Sequence, residues 1–154
     1  MDPSTLDDVM NEQLIALQEP PAEKRAVIEF LLDLADDAGR IEDREQTLAD
    51  VLEREASATT GVGMGIGIPH AKSAGVREPT IAFTRSSQGV DFEGMDGEPA
   101  TLLFMLLVPA EGDDQHLTML SSLSRALMHE DVRDALHEAD APEDVLATLE
   151  EAVA

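Results

Sequence analysis

One histidine concentrates the chemistry this chain can do. Residues 61–72 read GVGMGIGIPHAK, so His70 follows a run in which glycine alternates with apolar residues, then a proline. Read as a strand, the run puts Met64, Ile66 and Ile68 on one side and Gly63, Gly65 and Gly67 on the other. Pro69 cannot continue a central ladder, so the strand is expected to end there. His70 then sits at a strand end, held by a rigid proline and flanked by bare backbone. That setting suits an exposed, oriented imidazole. With an unperturbed pKa of about 6.5, such a ring is largely neutral and nucleophilic near pH 7. On periodicity alone, a buried histidine with satisfied ring nitrogens fits equally well.

Competing chemistries find less support. A Walker loop needs Gly-Lys-Ser/Thr after its glycines, and Lys72 comes too late, behind Pro-His-Ala. A G-x-G-x-x-G fingerprint begins at neither Gly61 nor Gly63. His70 and His116 lack a third ligand at metal-site spacing, so neither metal nor cofactor is expected. The chain has no cysteine, which excludes disulfides, thiolate metal sites and cysteine nucleophiles. Lys72 is expected to be solvated, and His129 and His137 to lie on the surfaces of late helices.

The elements around His70 follow from spacing. Gln13–Gln18 is a short candidate strand. Pro20-Pro21 is expected to open a helix in which Ala26, Val27, Phe30, Leu31, Leu34 and Ala35 recur at helical spacing, ended by Gly39. A second helix covers roughly 44–56. Residues 80–85, TIAFTR, read as a strand, and the turn-rich 86–100 as room for a short hairpin. Residues 101–108 are so apolar that they should form a central strand covered on both faces. Asp113 or Asp114 is expected to cap a helix running to about His129, with two short helices near 131–139 and 142–153. The pattern indicates one α/β domain over 1–154, a three-layer α/β/α sandwich with a central mixed sheet.

Arg54-Glu55, Thr59-Thr60-Gly61 and Gly65-Ile66-Gly67-Ile68-Pro69-His70-Ala71 together resemble the active-site segment of fructose/mannitol-type enzyme IIA domains of the sugar phosphotransferase system. That pattern runs Arg-Glu, Ser-Thr-Gly, then Gly-Ile-Ala-Ile-Pro-His. A second signature is similar too: an apolar strand ending Leu-Val-Pro-Ala, an acidic loop, then His116-Leu117 opening a helix. The resemblance covers nearly the whole chain. Gly67 stands where alanine is usual, and Met64 where a small or polar residue is common; neither change removes a reactive group.

The resemblance implies that His70 is a nucleophile, accepting a phosphoryl group from phospho-HPr and passing it to an enzyme IIB. In this branch the IIB acceptor is a cysteine. The chain has none, so IIB is expected as a separate partner, working with a membrane IIC that binds the sugar. Arg54 and His116 match positions surrounding the active histidine, with Thr60 and backbone N–H groups near Gly61 as weaker candidates. Phosphoryl transfer passes through a loose transition state with charge on its peripheral oxygens, which a guanidinium fork can hold. Taken alone, Arg54 would more simply pair with helix-end carbonyls, and His116 would be a first-turn residue without a role. The alternative within the family is a nitrogen-regulatory IIA, phosphorylated but acting by binding other proteins. A non-catalytic module that kept the fold is countered by the intact His70, Arg54 and His116.

Composition sets the rest. The formal net charge is −23, from 33 acidic and 10 basic residues, and only Lys24 and Lys72 are lysines. Such a surface repels nucleic acid and anionic membranes. The even spread of acid and the scarcity of lysine favour adaptation to high intracellular salt, as in a halophile, over an acidic partner-binding face. Four Phe and no Trp or Tyr imply an aliphatic core with Met as filler. No secretory signal is apparent, and the apolar run at 101–110 is too short to span a bilayer, so a soluble, cytoplasmic protein is expected.

Overall fold

The computed structural model describes the backbone of residues 3–94, 96–111 and 115–153, with side chains over 6–94, 96–111 and 118–153. Its spine is β6 (Ala100–Pro109), whose residues 102–108 are all buried. Alternation divides this strand between two cores. Leu102, Phe104, Leu106 and Val108 face one, with Met119, Leu123, Leu127, Val145 and Leu149. Leu103, Met105 and Leu107 face the other, with Val27, Leu31 and Val51. One layer thus holds α2 (Lys24–Asp37) and α3 (Arg44–Ser57), the opposite one α4 (Gln115–Leu127), α5 (Glu130–Glu138) and α6 (Pro142–Val153). The expected three-layer arrangement is what forms. A further helix, α1 (Pro3–Val9), packs Leu6 and Val9 into the α4–α6 core; its single short turn pattern gives no sequence signal of its own.

The sheet order is β1 (Ile15–Ala16), β5 (Thr80–Val90), β6, β3 (Ile66–Gly67), β2 (Gly61–Gly63), with β4 (His70–Ser73) also on β6. β5 is antiparallel to β6, while β3 and β4 run parallel to it, so the sheet is mixed. Several expectations need correction. The strand expected at 13–18 is a 3₁₀ turn (Glu12–Leu14) followed by two residues of strand. α2 begins at Lys24, so Pro20-Pro21 lead into the helix instead of opening it. Gly39 caps its end at φ +78, with the Arg40 N–H reaching the Ala35 carbonyl. β5 continues past Arg85 to Val90 through an irregularity in register, so 86–100 holds no separate hairpin: β5 and β6 are themselves the hairpin. The expected cap at Asp113 or Asp114 lies outside the described residues.

The largest correction concerns the glycine run, which is not one strand. β2 and β3 form a hairpin, pairing Gly61 with Gly67 and Gly63 with Ile66. Its two-residue turn has positive φ at Met64 (+58) and Gly65 (+76), the signature of the tight hairpin turns that match strand twist. Glycine adopts this freely; Met64 is held there by its N–H donating to an Asp96 carboxylate oxygen at 3.0 Å. Bare backbone lets the core approach closely. A Cβ on Gly61 would lie 3.0 Å from Phe92 Cβ, and one on Gly67 3.3 Å from the Phe92 ring. Phe92 therefore seats against both strands of the hairpin. Pro69 does interrupt the ladder, but the chain rejoins β6 at once: His70 opens β4, opposite Leu106.

Ion pairs between described residues engage Lys24, Arg25, Arg40 and Arg44, leaving most acidic groups without a countercharge in such a pair. Between α1 and α6 the crowding is direct: a hydrogen bond to Asp7, with burial and the Asp7 charge, raises the Glu150 pKa above its ordinary value. Salt should relieve this repulsion, because the screening length falls from about 10 Å at 0.1 M to about 3 Å at 1 M. The melting temperature in circular dichroism is expected to rise by at least about 3 °C over that range of KCl, roughly 1 kcal/mol for a domain of this size. A flat response would favour the acidic partner face instead.

Candidate phosphoryl-transfer site

The start of β4, the C-terminal half of α3 and Leu120 of α4 border an open cavity of about 600 Å³. Asp50, Glu53, Arg54 and Ser57 line it from α3, His70, Ala71 and Lys72 from β4, and Leu120 from α4. The α3 residues fall at the three- and four-residue spacing that stacks side chains on one helical face. α3 is oriented by its N-terminus, where the Asp43 side chain accepts from the Gln46 N–H at 3.1 Å. The helix is also tied to β4 directly, through Ser73 Oγ donating to Asp50 at 2.6 Å.

His70 is half-buried, and its Nδ1 lies 2.6 Å from the Ile68 carbonyl oxygen. A carbonyl only accepts, so Nδ1 carries the proton and, in the neutral ring, the lone pair is on Nε2. The proline between the two residues fixes this geometry by limiting the backbone. His70 is therefore not a plain core histidine; it borders a cavity with its tautomer set by the main chain.

Arg54 reaches the same cavity, and its Nη1 also donates to the Ala58 carbonyl at 3.0 Å, just past the end of α3. Arg54 thus binds a helix-end carbonyl and lines the cavity that His70 borders. His116 belongs to the first turn of α4, one turn before Leu120; its side chain lies outside the described residues. Thr60 and Gly61 are not brought into the cavity. The Thr60 hydroxyl and N–H both donate to Glu55, and Gly61 packs on Phe92 and Gly94. His129 and His137 are exposed elsewhere, His137 against Thr101. Among the described residues, no group of three His, Cys, Asp or Glu is placed to hold a metal ion, and no helix is long and apolar enough to cross a membrane.

Two features escaped the sequence reading. Asp50 and Glu53 could have been found from their helical spacing to Arg54. Glu55 stands in the Arg54-Glu55 motif, but its pairing with Lys24, 31 positions away, has no signal in the sequence. Lys24 Nζ sits 2.8 Å from Glu55 and 5.0 Å from the centre of the Phe92 ring, while the Thr59 hydroxyl donates to the Phe92 carbonyl. Burial alone would raise the Glu55 pKa, but hydrogen bonds from Lys24 and Thr60 outweigh it and hold the carboxylate below its ordinary value. This clamp fixes the segment from Arg54 to Gly61. Glu55→Gln is expected to cost about 1–3 kcal/mol at pH 7, less than a wholly buried pair because Lys24 is a quarter exposed. The depressed pKa means that the charge stabilises the fold above the unfolded value of about 4.3 and that this contribution fades as pH falls through the folded value. Denaturant melts of both proteins should therefore draw together as pH falls from about 4.3 through the depressed folded value.

A family model described as "Phosphoenolpyruvate-dependent sugar phosphotransferase system, EIIA 2" matches residues 8–152. The chain belongs to this EIIA family. A fructose-specific EIIA component from Haloferax volcanii, a halophilic archaeon, is 57% identical over 99% of both chains. A nitrogen regulatory protein from Pseudomonas aeruginosa is 32% identical over 90% of both. The crystal structure of nitrogen regulatory protein IIA-Ntr from Neisseria meningitidis superposes with a TM-score of 0.82 at 30% identity, covering 94% of this chain and 99% of that one. The EIIA fold accounts for the mixed sheet with helices on both faces, and membership makes the chain a phosphotransferase-system component.

Proposed function

We propose that this EIIA is a phosphocarrier of a fructose phosphotransferase system, taking a phosphoryl group from phospho-HPr on His70 Nε2 and handing it to a separate enzyme IIB. The observation that carries this is the Nδ1 contact to the Ile68 carbonyl, which leaves Nε2 as the nucleophilic nitrogen of a ring bordering the cavity. The Nε2 lone pair forms the new N–P bond while the donor's bond breaks, and the donor imidazole keeps that electron pair. The Nδ1 proton stays in place, stabilised by the carbonyl as the His70 ring gains positive character. Arg54 neutralises charge on the peripheral oxygens, and His116 is the second candidate donor. Fructose is favoured by the 57% identity to the fructose-specific component.

The likeness to nitrogen regulatory proteins favours a second reading, in which the phosphorylated chain acts by binding other proteins. Incubation with phosphoenolpyruvate, enzyme I, HPr and a IIB protein separates the two. The first reading expects a phosphohistidine on Nε2 by NMR, acid-labile and comparatively stable to alkali, followed by loss of phosphate to a IIB cysteine. Phosphate that stays on His70 in the presence of IIB supports regulation. A phosphate on Nδ1 overturns the mechanism.

A further inference from the structure

We propose that Lys72 is a second cationic ligand of the phosphoryl group, acting with Arg54 at His70. This deepens the phosphocarrier reading and rests on it. Lysine occurs at only two positions in a chain of net charge −23, so each deserves an account. Lys24 is engaged in the ion pair with Glu55. The Lys72 side chain makes no ion pair or hydrogen bond with any described residue, although Asp50 and Glu53 line the same cavity. Asp50 is already engaged: it accepts from Ser73 Oγ at 2.6 Å and from Gln46 Nε2 at 3.1 Å.

Strand geometry places this ammonium. His70 and Lys72 stand two residues apart in β4, so they face the same side of the strand, about 6–7 Å apart along it. Ala71, between them, packs into the α2–α3 core. A four-carbon stem spans that separation, so the ammonium can reach oxygens on a phosphoryl group at Nε2. The two cations then divide the work. The Arg54 fork holds two oxygens in a plane, and Lys72 acts as a mobile point charge on the third. A lysine that is exposed and unpaired among the described residues loses side-chain entropy when the phosphoryl group arrives, which suits a carrier that must also release its load.

Phosphoramidate, a small donor, isolates this contact from protein docking. Its P–N bond breaks, ammonia leaves with the electron pair, and the N–P bond forms at Nε2. Lys72→Gln is expected to slow labelling by phosphoramidate and by phospho-HPr alike, each about tenfold, the equivalent of one charge-assisted hydrogen bond. Lys72→Arg should stay within about threefold of wild type, since it keeps the charge. In ³¹P spectra the phosphoryl group of Lys72→Gln should titrate at higher pH than wild type, a shift that a merely structural lysine would not produce. Wild-type phosphoramidate rates in Lys72→Gln overturn the proposal, and slowing with phospho-HPr alone reassigns Lys72 to the partner interface. A wild-type chain that takes no phosphate from either donor overturns the phosphocarrier reading and this proposal together, which sets that failure apart.

Discussion

His70→Ala is expected to carry no phosphate after exposure to phosphoenolpyruvate, enzyme I and HPr, while His129→Ala and His137→Ala label as wild type does. The contrast is sharp because, in the proposed transfer, the loss is of the acceptor atom itself. No other imidazole with described side-chain atoms lines the cavity. His129 and His137 are exposed at a distance in sequence and in fold, one heading α5 and the other near its end. Intact-mass measurement reads the result directly, as one added phosphoryl group or none. Arg54→Gln is the graded counterpart. It leaves Nε2 in place and removes a charge-assisted hydrogen bond, so transfer should slow by roughly ten- to a hundredfold. Losses from Arg54→Gln and His116→Ala should fall short of additive if both groups touch the same oxygens. Labelling that survives His70→Ala would sink the assignment, and wild-type transfer in Arg54→Gln would leave the cavity without its planar cation.

The parts of the fold readable from sequence are those whose signal is local. TLLFMLLV at 101–108 announces a strand covered on both faces because no polar residue beyond Thr101 interrupts it. The apolar spacing in α2, α4 and α6 survives translation into structure because each helix buries one stripe. The glycine run misled because alternation is also what a tight hairpin shows when its strands are three residues and two. The deciding fact is the positive φ at Met64, supported by Asp96, 32 positions away. The same limit governs the site. The motifs single out His70 and Arg54, and the structure sets both on one cavity with Lys72 exposed at its edge. Whether a lysine near a histidine is idle depends on what its neighbours already hold, and Asp50's bonds to Ser73 and Gln46 appear only in three dimensions.

Gly75→Ala is expected to be among the most destabilising single-methyl additions in the chain. A Cβ there would lie 2.3 Å from the Asp43 carbonyl oxygen, 2.5 Å from Thr47 Oγ1 and 3.1 Å from the Thr47 backbone nitrogen. Two of those three atoms are main chain in the first turn of α3 or its cap, so no side-chain rotation relieves the contact. The Gly75 carbonyl also accepts from the Glu42 and Asp43 N–H groups, at 2.8 and 3.0 Å, which locks α3's entry onto the end of β4. Moving that helix by the required distance also strains the Asp50–Ser73 bond and, at the far end, the placement of Arg54. Overpacking of this kind costs about 3 kcal/mol or more, which corresponds to a fall of roughly 6–12 °C in melting temperature for a domain of this size. Gly94→Ala is the matched control: among the described residues its added methyl would meet nothing closer than 3.5 Å, at the Glu98 carbonyl. It should be neutral or stabilise by a few tenths of a kcal/mol through the unfolded chain, at about the lower end for such changes. Thermal melts of the two variants, with phosphoryl-transfer rates at a temperature where both remain folded, test the argument. A Gly75→Ala protein as stable as Gly94→Ala would mean that α3 and the 73–76 turn are not in the tight contact that positions Arg54 against His70.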